Sequence, residues 1–435
     1  MADNKEREIR KQELRTRVVD AGQLVRKEEK ERQREKSRRE SGKGRRGRIL
    51  LFVIVVVLLA VIAGTVVFLM RRSFHSYAVN WTVNFNEEQQ SNTVDSDYED
   101  YEVYGSGFLK VTRDGASYLD QKGKTVWNQA YEMNTPYVSV NGEYCAVADQ
   151  GKTTIFIMNM DGTTGQAETN KPINKIAVAR TGVVYALLED SAASYITVFS
   201  REGKALDISI KSVLDGDGYP VDIAVSPDGT ELMASFAYIE GGTLQNKVVF
   251  YNLGEVGQSA GGNRVVGGFS DDFSGHLAGR VHFSDDTHAQ AFYDGGIAFF
   301  STKVLTSPEL SAKVELDETI RSVAYDGDYV GIVTDNNGKD SNGDPYALTL
   351  YRLNGQVVFR RTFRFNYTGF VVDHRKVLLY NDKTLMVYDA NGALKYNGDL
   401  NAAIHMARVQ EDMTSPFSMN VLVGSTGMME SVKLK

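Results

Sequence analysis

The chain has 435 residues, 42% hydrophobic and 24% charged, with a formal net charge of -7 and a single cysteine, Cys145. One cysteine allows no intrachain disulfide, which excludes a disulfide-stapled secreted scaffold. Residues 1–48 carry 18 Lys/Arg against 10 Asp/Glu, whereas residues 73–435 carry 29 against 46; the acidic bulk repels phosphate, so no nucleic-acid partner is expected.

In chain order, residues 1–48 form a basic tail. Residues 5–40 contain no proline and only Gly22, and Leu14, Val18, Ala21 and Val25 fall on one helical face. The pattern predicts a charged, partly helical tail that lies along anionic lipid headgroups or docks a cytosolic partner through that face. Residues 41–47, SGKGRRG, are expected to break the helix.

Residues 49–70, from Ile49 to Met70, read ILLFVIVVVLLAVIAGTVVFLM, 22 residues with no charge and no polar side chain beyond Thr65. As a helix such a run is about 33 Å long, enough to cross a bilayer core. It predicts a transmembrane helix. The excess of Lys/Arg before it keeps the tail cytoplasmic and exports the C-terminal part, outweighing Arg71 and Arg72. A signal peptide has an apolar core of roughly 7–15 residues, so this run reads as an uncleaved anchor in the cell membrane. A disulfide-free exported domain suits a bacterial envelope.

Residues 71–99 read as a juxtamembrane linker. Within it residues 77–85, YAVNWTVNF, alternate enough to form a strand, while Glu87, Glu88, Asp95, Asp97, Glu99, Asp100 and Glu102 form an acidic run with no basic residue, expected to be a solvated spacer.

Residues 100–435 show short β-rich runs separated by turn dipeptides such as Asp114-Gly115, Asn141-Gly142, Asp228-Gly229, Asn354-Gly355 and Asn391-Gly392. One phrase recurs: an apolar strand, a turn, a second strand, then a strand resembling VFYNLxG. Copies start near residues 101, 137, 173, 221, 280, 320, 370 and 404, spaced 34 to 59 residues apart. This is the period of four-stranded propeller blades, each needing neighbours to bury its faces. The expected fold is therefore an all-β propeller of seven or eight blades, eight favoured. The last unit is short by one strand, which residues 77–85 could supply, closing the ring and leaving no open edge.

Residues 221–235, VDIAVSPDGTELMAS, resemble the S-P-D-G blade motif of bacterial WD40-like and TolB-type propellers. Gly123-Lys124-Thr125-Val126-Trp127 resembles the G-K-x-x-W strand end of quinoprotein-like propellers. The arrangement over residues 45–435 resembles a Gram-positive, membrane-anchored family with a propeller-like extracytoplasmic domain of unknown function. That resemblance implies fold and topology and brings no active site.

Catalytic signatures do not surface. A quinone-dependent enzyme would repeat its tryptophan motif around the ring, but there are two tryptophans, Trp81 and Trp127, and one motif copy; no cofactor is expected. Asp335, Asp340, Asn342 and Asp344 are candidate cation ligands: the last three fit the first, third and fifth positions of a calcium loop, but Pro345 and Tyr351 stand where its glycine and glutamate belong. Asp215-Gly216-Asp217-Gly218 reads as a turn first, and His282 and His288 around Asp285 and Asp286 fit no standard zinc spacing. GxSxG, HExxH and GxxxxGK[ST] are absent. The expected function is a non-catalytic binding or scaffold module for a protein or cell-envelope polymer on the propeller loops. The alternatives are a glycan lyase or hydrolase built from channel carboxylates, and a transmembrane signalling or assembly factor working through the tail.

Overall fold

A computed structural model describes residues 3–84, 98–261, 263–336, 342–410, 418–425 and 427–435. It contains two compact units, Met1–Arg72 and Ser73–Lys435.

The first unit is one helix, Asp3–Arg71. The expected break at residues 41–47 is not there: an interior glycine costs only about 1 kcal/mol relative to alanine, which helix on both sides overrides. Leu14 and Val25, on the predicted tail face, are exposed; Val18 and Ala21 have side chains outside the described residues. Among the described residues no helix is long and apolar enough to cross a membrane. The predicted span at 49–70 lies partly outside them, since the side chains of Ile49, Leu50, Val66, Leu69 and Met70 are not described.

The second unit is all-β: eight four-stranded antiparallel sheets. The first strand of each is Glu99–Tyr104, Pro136–Asn141, Ile173–Val178, Tyr219–Val225, Ala278–Asp285, Ile320–Tyr325, Gly369–Asp373 and Met406–Gln410, and we number the blades in that order. These starts lie within two residues of the repeat starts read from the sequence. Seven blades take all four strands consecutively. In the eighth, Met406–Gln410 is followed by Met419–Ser425 and Met428–Leu434, and the fourth position is filled by Tyr77–Asn84 from the other end of the chain. That strand pairs antiparallel with Met428–Leu434, from Tyr77 opposite Leu434 to Asn84 opposite Met428. Phe85 and most of the acidic spacer lie outside the described residues.

The blades are held side by side by apolar seams. Eight buried clusters occur among the described residues, one for each junction of successive blades. The seam that closes the ring joins Phe108 and Leu119 of the first blade to Met406, Leu422 and Met429 of the eighth, with Trp81 and Val83 of the closing strand packed on them. Middle strands such as Val184–Glu189 are buried on both faces, so they read as continuous apolar runs, whereas the outer strand Thr125–Ala130 alternates.

Both quoted motifs have structural roles. In the S-P-D-G turn, Asp228 accepts hydrogen bonds from Ser226 Oγ (2.6 Å) and Thr230 N (2.9 Å). The Asp228 amide donates to Asp286 of the fifth blade (2.8 Å), and Arg180 of the third blade reaches the same carboxylate (2.8 Å), so this turn ties three blades together. In the G-K-x-x-W run, Gly123 adopts φ +74 and sits against Val83, where a Cβ would come within 3.1 Å of that side chain. Trp127 packs at the seam between the first and second blades.

Candidate functional site

The first strands of the blades lie innermost, at the ring centre. There they surround a cavity of about 830 Å3 lined by the inner strands of the first six blades. One chemistry-bearing side chain comes from almost every blade: Glu102, Tyr137, Lys175, Arg280 with His282, and Tyr325 with Asp326.

Asp222 of the fourth blade anchors this wall. It is 3% exposed, accepts the Val281 amide of the next blade at 2.8 Å and forms an ion pair with Lys175 of the previous one. A buried carboxylate held this way is a construction element linking three blades. His282 stacks on Tyr325 with ring centroids 3.5 Å apart. Burial, then the positive charges of Arg280 and Lys175, push its pKa down to about 3, so the imidazole is neutral at physiological pH. Glu102 is open to the channel solvent, yet the protein atoms crowded around it, with Asp100 alongside, push its carboxyl up to about 7 against the opposing pull of Arg280. Arg280 itself faces the cavity and makes no hydrogen bond or ion pair with any described residue.

The sequence-predicted cation ligands do not converge here. Asp335 pairs with Arg321 at 2.7 Å, and Asp344 faces Arg364 at 3.4 Å. The Asn342 carbonyl accepts from Arg364, while Asp340 lies outside the described residues. Among the described residues no group of three or more His, Cys, Asp or Glu is arranged to hold a metal ion. Asp285 takes His288 at 2.8 Å while Asp286 takes Arg180, so the HFSDDTH run is divided between a turn and an inter-blade contact. Asp217 caps its own turn by accepting the Val213 amide at 2.9 Å.

Sequence reasoning missed Glu102, Lys175, Arg280 and Tyr325 as a group. Glu102 was absorbed into the acidic spacer, yet it lies in the first strand of the first blade. The available signal was positional: each of the four falls in the opening strand of a repeat, the strand that faces the axis.

A second feature lies at the ring edge. The middle strands of the fourth blade, Glu231–Glu240 and Thr243–Asn252, have ten residues each and stay paired out to Glu240 opposite Thr243. Gly241 and Gly242, at φ +57 and +79, make a two-residue turn that only glycine-like residues adopt readily. Just below the tip, the paired Ile239 and Leu244 are 69% and 54% exposed. At the same end, the connection into this blade exposes Leu214, and Tyr219 pairs alongside Ala237.

Comparison with solved structures returns propellers at low identity. BamB from Moraxella catarrhalis is 10% identical, with a TM-score of 0.47 over 83% of this chain and 100% of that one. Chaetomium thermophilum Sqt1, solved bound to the N-terminus of ribosomal protein L10, is 10% identical with a TM-score of 0.46, covering 77% and 92%. Apo AztD from Citrobacter koseri is 10% identical with a TM-score of 0.45, covering 72% and 86%. No curated protein matches the chain. A model of a family of unknown function, DUF5711, matches residues 70–434, nearly the whole propeller with its closing strand, and the chain belongs to that family.

Proposed function

We propose that this protein is a membrane-tethered, extracytoplasmic β-propeller that works as a non-catalytic docking module for a partner protein of the cell envelope. The observation that carries this reading is the projecting hairpin of the fourth blade. Exposed apolar residues scattered singly need no explanation, but here Ile239 and Leu244 are paired on a rigid, glycine-tipped ribbon that leads away from the core. Such a ribbon presents apolar side chains with little conformational entropy left to lose on binding.

The test is crosslinked capture of the full-length protein from its own membrane. Wild-type protein is expected to recover a reproducible partner, and the double variant Ile239→Ser/Leu244→Ser to lose at least 10-fold of it with an unchanged melting temperature. Absence of any reproducible partner with the wild type would overturn the reading.

Tethering rests on the apolar, uncharged stretch 49–70 and the basic residues before it. The full chain is expected to stay with membranes through alkaline carbonate washing, and deletion of residues 49–70 to release it. A washed-out wild type would reject the anchor.

The glycan lyase or hydrolase reading draws support from the ionisable groups gathered in the channel. It is the poorer fit. His282 is neutral and stacked, and Asp222 is committed to Lys175 and the Val281 amide. The channel carboxylates left for a hydrolase include Glu102, with its carboxyl raised to about 7, and Asp326, which come from the first and sixth blades.

A further inference from the structure

The central channel offers a binding site independent of the hairpin. Of the two cations in the channel lining, Lys175 is neutralised within the fold by Asp222. Arg280 is different. It projects into the cavity from the fifth blade with no hydrogen bond or ion pair to any described residue. Around it stand Tyr137, Tyr325 and the neutral His282, with Glu102 on the first blade, four blades away around an eight-blade ring. Arg280 is exposed to the channel, so its guanidinium can take an anionic ligand without first breaking a protein contact.

Three features narrow that ligand. The planar fork of a guanidinium matches the two oxygens of a carboxylate. The nearby acids Asp100, Glu102 and Asp326 disfavour a dianion such as phosphate, because only one cation is uncompensated. Arg280 also lines a second cavity, of about 520 Å3, opening between the fifth, sixth and seventh blades. That cavity is lined by Phe292, Ile320, Val323 and Phe370 together with the polar Tyr293, Asp294, Arg321 and Ser322, and its four apolar groups suit an apolar side chain.

We propose that this channel captures the C-terminal carboxylate of a peptide ending in an apolar residue. Arg280 grips the carboxylate, and the last side chain enters the cavity between Phe292 and Phe370. Glu102 limits the site to monoanions by facing the guanidinium from across the ring.

The experiment is titration calorimetry with the full-length protein in detergent at pH 8, using acetyl-Ala-Ala-Phe as probe. Saturable binding is expected, weakened at least 10-fold when the probe is the C-terminal amide. Arg280→Gln is expected to weaken the acid at least 10-fold and leave the amide unchanged, and Arg280→Lys to recover part of the loss by restoring charge without the fork. Glu102→Gln should tighten the acid several-fold. Melting curves for each variant report whether the ring is intact. The proposal is overturned if the acid shows no saturable binding, if acid and amide bind alike, or if glucuronate or inorganic phosphate binds more tightly than the peptide.

Discussion

Deleting residues 77–84 from the full chain is expected to abolish the cooperative unfolding transition of the propeller. Seven blades are self-sufficient in strands, but the eighth owns only three. Without the closing strand, Met428–Leu434 becomes an open edge with unpaired backbone groups. The seam to the first blade also loses Trp81 and Val83 from over Phe108, Leu119 and Met429. Burial of those two side chains and an eight-residue ladder contributes on the order of 5 kcal/mol, comparable with the whole stability of an ordinary domain. A gentler form is Trp81→Asp/Val83→Asp, which keeps the chain length and places two charges in the seam; it should lower the melting temperature by more than 10 °C. Trp81→Phe, which keeps the apolar ring, should shift it by only a few degrees. Circular dichroism melting separates these outcomes, and a cooperative, wild-type-like transition after deletion would show that closure does not depend on this strand.

The second large effect is expected from Glu231→Gln, and it stabilises. Glu231 is 1% exposed in the fourth blade, and neither carboxylate oxygen accepts a well-formed hydrogen bond. Burial raises its pKa from 4.5 to about 7, with Asp228 adding to the shift and Thr302 partly opposing it. A folded-state pKa above the unfolded one means that the folded state holds the proton more tightly. The associated stability is complete below about pH 4.5 and is lost as pH rises through about 7. A shift of this size corresponds to up to about 3 kcal/mol at pH 8. Glutamine keeps the shape and removes the charge, so the variant should match the wild type at pH 4 and exceed it at pH 8. Urea unfolding of both chains at the two pH values measures the difference, and a gap independent of pH would rule out ionisation of Glu231 as its cause.

The repeat, the turns and the missing eighth-blade strand were legible because they depend on local chemistry. Alternation, apolar middle strands and Asp-Gly or Asn-Gly turns recur within each blade, so eight starts could be counted along the chain. The closing strand at Tyr77–Asn84 was legible for a related reason, since a three-stranded final unit leaves an edge that an earlier β segment must cover. The helix break at residues 41–47 failed because propensity at a few glycines is a small term. The acidic run was misjudged at its end: Glu99, Asp100 and Glu102 look like a solvated spacer but form the first inner strand.

The candidate site was decided by the ring alone. Glu102, Tyr137, Lys175, Asp222, Arg280 and Tyr325 stand at least 35 residues apart in sequence, and no spacing rule connects them. They meet because each opens a blade and the blades close into a circle. Arg280 forms no direct ion pair for a reason equally invisible in one dimension: Asp222, the acid of the neighbouring blade, turns to Lys175 and the Val281 amide instead. Periodicity is a property of neighbouring residues, and it determined the fold. The pairing of charges across a channel depends on which side chains face one another in space, and only tertiary structure decided that.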